Sequence, residues 1–463
     1  MANQKRSANE INRIEVTTDN ITGRGGLVMF QRYLDKIKIL TLLLTFFGDI
    51  KKTKKGIAIT NMFKQVICWL IDGTCKSLVY FDELKKDEGY ASAIETTTED
   101  MATSHQIKRF FKSFAFGSGR IFRRILRILF VWRLKIVKPE VVEMTIDTMV
   151  MDNDEALNRE GVQPTYKKVK GFQPLHMIWM GKIVDAIFRG GSKHGNHGNA
   201  VINMVRDAAE AIRSGYSMTV PIIIRMDSAF LDEDNFKEFD RLGIGFICTG
   251  KMYTGVKEFI GKQSKEIEWS KYDNGHQRWD YKEQGYKCDS WSRFYRAFYT
   301  RPVYEGEQAL LEFARPENII VTNVGVIPKV LNYCSDELKI ELSSPERIIE
   351  SHHKRGADEL PHRGLKDFRT EEVPFKRFRP NEAFYYITLI AFFLLEAYKE
   401  DVLEGVIPIE SYPSTVRRKV VDFAAKIVKT GGVIIVKVSQ TIMDILKIET
   451  VWERCQNPIP ILV

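Results

Sequence analysis

The stretch Val220-Pro-Ile-Ile-Ile-Arg-Met-Asp-Ser-Ala-Phe230 decides how the rest of the chain is read. An unbroken apolar run, Ile222 to Ile224, leads to a single Asp227, then small residues and Phe230. Runs rich in β-branched residues and bounded by turn residues read as buried central strands. A carboxylate just past such a strand lies outside its carboxyl end, where α/β sheets place their chemistry. The same Asp227 also reads as a helix cap, because Asp and Ser accept from the free N–H groups of a helix start.

Upstream, Val141-Val-Glu-Met-Thr-Ile-Asp-Thr-Met-Val-Met151 reads as a strand with Asp147 inside it. Aspartate is disfavoured in strands, and a buried one needs a partner or a metal. Two more strands follow, His176 to Met180 and Ile183 to Arg189, with a tight turn at Gly181. A helix from Ala200 to Arg213 precedes the central strand. A helix from Asp232 to Leu242 and a strand from Gly245 to Thr249 follow it. The order β-β-β-α-β-α-β, with an acid on the first and fourth strands, is ribonuclease H-like and sets Asp147 beside Asp227. Two carboxylates at adjacent strand positions make a hard-oxygen site suited to magnesium. His194 and His197, in a Gly/Asn-rich loop, lack the neighbouring His or Cys cluster that zinc needs.

At 463 residues the chain is long enough for two or three domains. Its net charge of +9 suggests a polyanionic partner, nucleic acid first. Six scattered cysteines with no C-x-x-C pair fit buried thiols in a reducing, cytoplasmic setting. The polar N-terminus has no signal-peptide core. The longest apolar run, Phe384 to Leu395, is too short to cross a bilayer and reads as a buried helix.

Residues 1–139 read as a helical, basic DNA-binding region. A polar cap at Thr103 opens a short basic-aromatic helix through Phe111, of the kind that reads DNA in a helix-turn-helix. From Lys108 to Lys138 there are ten Lys or Arg and no acid, interleaved with apolar residues. One face can pack while Lys108, Arg109, Arg123, Arg124 and Arg127 meet phosphates. The plainer reading is an amphipathic surface helix with solvated charges. Residues 140–250 and 346–400 are expected to form the catalytic domain, interrupted by a β-rich insertion at 251–345. The tail, 401–463, reads as short amphipathic helices around a Gly431-Gly432 turn.

The last motif is His352-His-Lys-Arg-Gly-Ala-Asp-Glu-Leu-Pro-His-Arg-Gly-Leu-Lys366. On one continuous helix, at about 100° per residue, His352, Arg355, Glu359 and Lys366 share an arc of about 60°. Ordinary ion pairing between Arg355 and Glu359 is the plainer account. Pro361 would kink or interrupt a helix running through Glu359; the alternative is a helix that begins near Asp358, with His352 and Arg355 on a preceding turn.

These residues resemble an insertion-sequence transposase of the DDE class, in the branch with the signature Tyr-x2-Arg-x3-Glu-x6-Lys. Here His352 stands for the Tyr, while Arg355, Glu359 and Lys366 keep the spacing. Arg225-Met-Asp-Ser-Ala-Phe230 resembles the second-Asp motif, and Thr145-Ile-Asp-Thr148 the first. Ile320-Val-Thr-Asn323 and Trp291 have counterparts in the family's β insertion. The resemblance implies an α/β, ribonuclease H-like enzyme that binds terminal inverted repeats, cleaves DNA and joins it to a target. Asp147, Asp227 and Glu359 would hold Mg2+, with Mn2+ as a substitute. Arg355 and Lys366 would clamp phosphates, and His352 would position one. Cutting two ends together implies a homodimer. A ribonuclease H-like nuclease without strand transfer and an inactive DNA-binding descendant are the alternatives.

Overall fold

Alternation along the central strands decides which side of the sheet each residue faces. In the computed structural model the described residues are 11, 13–51, 55–156, 158–193, 195–256, 258, 268–303, 317–355, 359–368 and 372–461, with the backbone alone for Glu359. A short strand β1 (Ile21–Thr22) precedes helices α1 (Leu27–Lys36), α2 (Ile39–Phe47), α3 (Ile59–Asp72), α4 (Phe81–Leu84), α5 (Glu88–Ala93), α6 (Ser104–Lys112) and α7 (Ser118–Val137). Strands β2 (Val142–Thr148), β3 (Met151–Asp152), β4 (Gln163–Pro164), β5 (Lys170–Phe172), β6 (Leu175–Trp179) and β7 (Lys182–Ile187) follow. Then come α8 (Ala200–Gly215), β8 (Ile222–Met226), α9 (Glu233–Leu242) and β9 (Gly245–Thr249). The β-rich segment supplies β10 (Ser270–Asp273), β11 (Arg278–Tyr286), β12 (Tyr295–Val303) and β13 (Asn318–Thr322). Helices α10 (Asp336–Ser343), α11 (Pro345–Lys354), α12 (Glu359–Phe368), α13 (Phe378–Asp401) and α14 (Pro413–Val416) lead to β14 (Ala425–Thr430), β15 (Val433–Lys437), α15 (Gln440–Ile445) and α16 (Ile448–Gln456).

The main sheet runs β10-β11-β12-β13-β9-β8-β2-β6-β7. Strands β2, β8 and β9 are mutually parallel, β6 pairs antiparallel with β2, and β7 pairs antiparallel with β6. Ile222 and Ile224 of β8 enter the larger core with Val201 and Met204 of α8 and Phe236 and Phe239 of α9. Ile223 enters a second core on the opposite face, with Ile348 and Ile349 of α11. The β-rich segment extends this sheet: β13 pairs antiparallel with β9, and β12, β11 and β10 add outward. Glu305 to Glu307 and the strand piece Gln308 to Phe313 lie outside the described residues.

Helix α13 is the hub of the helical side. Nearly every residue from Ala383 to Leu395 is buried, which explains an apolar run without a polar face. The N-terminal helices pack on it through Trp69, Phe111 and Phe122, which meet Phe384 or Tyr386. One hydrophobic cluster therefore runs from Leu27 of α1 through the sheet to Ile461. Among the described residues no helix is long and apolar enough to cross a membrane. The cap at Thr103 forms: it accepts from Gln106, whose side chain accepts in return from the Thr103 backbone.

The tail departs from its expected helices. Gly431 and Gly432 do form the turn, but with φ of 54° and 78°. That pair of left-handed residues is the two-residue turn of a β-hairpin, and β14 and β15 flank it in antiparallel register. The β-branched run Val433 to Val436 favours a strand over a helix. Only after it come α15 and α16. β14 also pairs with β1, so both ends of the chain share a small sheet.

Candidate active site

Strands β2 and β8 pair in parallel from Val142↔Ile222 to Ile146↔Met226. One step further along both strands stand Asp147 and Asp227. Neighbouring strands lie about 4.8 Å apart, so the two carboxylates share one edge of the sheet. Period two also puts them on one face, with Glu143, Thr145 and Arg225. Asp227 is a cap as well: its carboxylate accepts from the Ala229 N–H at 2.8 Å. Asp147 accepts from the Thr148 N–H at 2.7 Å.

Polar contacts lock α11 across that face. Glu143 takes Arg347 and the Ser351 hydroxyl. Arg225 donates to Thr145 Oγ1 at 3.1 Å and to the Ser351 carbonyl at 3.4 Å. The last turn of α11 thereby lands at the end of β9, where His352 Nε2 meets Thr249 Oγ1 at 2.9 Å. Burial, with His353, Arg355 and Arg225 adding to it, brings the His352 imidazole down to about 3. Arg355 caps α11 and is half-buried. The Cys248 thiol is held well above its usual range by burial and by Asp227, with Arg355 opposing.

The signature is divided between two helices and not carried on one arc. His352 lies on α11, Arg355 caps it, and Glu359 opens α12. Pro361 falls in the first turn of α12, where a missing N–H costs no helical hydrogen bond. Lys366 is exposed in the last turn of α12. The Glu359 side chain and residues 356–358 lie outside the described residues, as does His194. Among the described residues no group of three or more His, Cys, Asp or Glu could hold a metal. The pair Asp147 and Asp227 fits a hard divalent cation by its all-oxygen donors.

A second set of groups behind Asp147 was not anticipated. His362 of α12 places Nδ1 3.8 Å from Asp147 Oδ2. Its Nε2 is 3.0 Å from Nδ1 of His176, the residue of β6 paired with Asp147. Nε2 of His176 meets the Tyr385 hydroxyl of α13. Burial drives the His176 ring well below its ordinary range, with His362 and Arg189 contributing. Burial, then Lys366 and Lys167, brings His362 down to about 4. The spacing Glu359-x-x-His362 puts both on one helix face and was the sequence signal for it.

The basic stretch divides in two. Arg123 donates to Asp185 of β7 at 2.8 and 2.7 Å, and Arg127 at 3.0 Å. Asp207 flanks both. Asp185 is fully buried, and a buried carboxylate requires such partners. These two guanidinium groups face the core and not a phosphate backbone. Arg133 likewise turns inward to Glu400 and Asp401. Arg109 and Arg124 are exposed and Lys108 is half-buried.

The chain matches, over residues 5–457, the family described as transposase DDE domain group 1. No curated protein matches it. Among solved structures it is similar to the piggyBac transposase synaptic complex with hairpin DNA, determined by cryo-EM, at 12% identity and a TM-score of 0.40. That alignment covers 86% of this chain and 80% of that one.

Proposed function

The chain belongs to the transposase DDE domain group 1 family, and from that premise we propose that it binds the terminal inverted repeats of an insertion sequence, cleaves there and joins the ends to target DNA. The observation that supports this is the parallel register of β2 and β8, which ends at Ile146↔Met226, one residue before Asp147 and Asp227. The sheet order, with β2 central between β6 and β8, supports a ribonuclease H-like catalytic core.

Asp147, Asp227 and Glu359 would hold Mg2+, or Mn2+ in its place, and such an ion would supply Lewis-acid activation of a water or 3′-hydroxyl and charge stabilisation of the leaving oxygen. The chain's own groups do the positioning. Arg355, at the foot of α11, faces the strand ends and offers a forked donor to the scissile phosphate. Lys366, in the last turn of α12, adds a second cation. Negative charge grows on the phosphoryl oxygens during displacement, so cations fixed beforehand stabilise that state more than the ground state. His352, buried and neutral, secures Thr249 and so fixes the end of α11. Lys108, Arg109 and Arg124 hold DNA outside the centre by charge. A homodimer in the cytoplasm brings two ends together.

The test uses purified protein, Mg2+ and DNA bearing the repeats that bracket the gene. Nicking at the repeat ends followed by joining to a plasmid supports the proposal. Cleavage without joining marks a nuclease instead, and binding without cleavage marks a DNA-binding descendant.

A further inference from the structure

We propose that His362 is the positioning residue of Asp147: its Nδ1–H holds the carboxylate, and the buried pair His176 and Tyr385 fixes the ring in that tautomer. This rests on the reading of Asp147 as a metal-binding carboxylate.

The argument follows the protons. An ionised carboxylate only accepts hydrogen bonds, and a neutral imidazole carries one N–H and one lone pair. His362 turns Nδ1 to Asp147, at 3.8 Å. A lone pair aimed at a carboxylate would be repelled, so that nitrogen carries the proton. Nε2 of His362 is then the acceptor, and it lies 3.0 Å from His176 Nδ1, which must donate. His176 Nε2 is left as an acceptor, and it meets the Tyr385 hydroxyl, which can donate. Each link fixes the next, and the series runs in one sense from Tyr385 to Asp147.

The anchor is rigid. Tyr385 and His176 are 1% and 0% exposed, one in the hub helix and the other on β6 directly across from Asp147. The near rings of His176 and Tyr385 lie almost parallel, at 11°. The last contact, at 3.8 Å, exceeds hydrogen-bond length. Contacts of this kind often tighten when a site fills. Groups that orient a metal's ligands typically contribute 10–100-fold in metal affinity or activity.

Two measurements on the full-length chain test this. In protein labelled with 15N at histidine, long-range 15N–1H correlation spectra should show His362 and His176 both protonated on Nδ1. Asp147→Asn should shift the His362 signals. A proton on His362 Nε2 overturns the proposal. In calorimetric titration with Mn2+ alone, His362→Ala should weaken binding about 10–100-fold. His362→Asn places an amide N–H near the lost Nδ1 and should recover most of the affinity. His362→Gln places it near Nε2 and should not. Tyr385→Phe should leave a mixture of tautomers and a several-fold weaker site. Unchanged affinity in His362→Ala, or equal rescue by Asn and Gln, overturns the proposal. Asp147→Ala separates the two levels. If Mn2+ binding survives that change, the metal reading itself fails. If it is lost there but kept in His362→Ala, the positioning role alone fails.

Discussion

Asp147 and Asp227 each follow directly on the pair Ile146↔Met226 of two parallel strands. That placement is set by strand pairing, which most side-chain substitutions leave intact. Asp147→Asn and Asp227→Asn should therefore each fold and bind terminal-repeat DNA like the parent. Cleavage should fall by about 10²–10³-fold or more, the scale of losing one charge-stabilising group at such a centre. Assays of binding and nicking on the same preparations check this. Parent-level nicking by either variant removes that acid from the centre.

Glu359→Gln keeps the shape of the side chain and removes the negative charge a hard cation needs. DNA binding should persist while nicking and joining disappear with either Mg2+ or Mn2+. Lys366→Ala should keep slow cleavage, because it loses a phosphate contact and no metal ligand. Single-turnover cleavage rates distinguish the two, and normal cleavage by the Gln variant makes Asp358 the next acid to test.

Arg123 and Arg127 share the buried Asp185. Removing one partner of a buried ion pair costs about 3–5 kcal/mol, and Arg127 remains to soften the loss, so about 3 kcal/mol is expected for Arg123→Ala. Denaturant melts should show that loss, with DNA affinity per folded molecule unchanged. Charge reversal at Arg109 and Arg124 should do the opposite: stability unchanged, affinity lower, and a flatter salt dependence from fewer released counterions. An Arg123→Ala protein as stable as the parent would contradict the ion-pair assignment.

Glu382, in the first half of α13, is raised from 4.5 to about 7 by burial, with Arg379 opposing. Its carboxyl binds a proton more tightly folded than unfolded. The folded state therefore loses stability as pH rises from about 4.5 through 7. At about 1.4 kcal/mol per pH unit the ceiling is about 3 kcal/mol. Glu382→Gln should melt higher than the parent at pH 8 and close to it at pH 4.5. Equal melting points at pH 8 would show that the carboxylate is solvated.

The strands were legible because apolar runs and turn residues mark them locally. The positions of Asp147 in β2 and of Asp227 just past β8 were legible because an acid beside an apolar run marks a strand end. Pairings between distant elements were not. Nothing near Arg123 in the chain reveals Asp185, and nothing near His176 reveals His362 or Tyr385. The tail shows the limit of a turn signal: Gly431-Gly432 marks a reversal, and the flanking β-branched residues, not the glycines, decide that strands flank it. Pro361 speaks against one helix through the whole motif, and a helix beginning near Asp358, with His352 and Arg355 on the turn before it, agrees with α11 ending at Lys354 and α12 described from Glu359.

Helix α13 has a consequence for synthesis. Helices α1 to α7 emerge early, yet the surface that buries Trp69, Phe111 and Phe122 emerges only with residues 378–401. At about 5–20 residues per second the ribosome leaves those apolar faces without their partner for on the order of tens of seconds. β1 waits longer still, until β14 arrives. A nascent chain of this protein is thus a client for chaperones until translation is nearly finished. A message cut short before residue 378 yields an aggregation-prone fragment and not a free DNA-binding module.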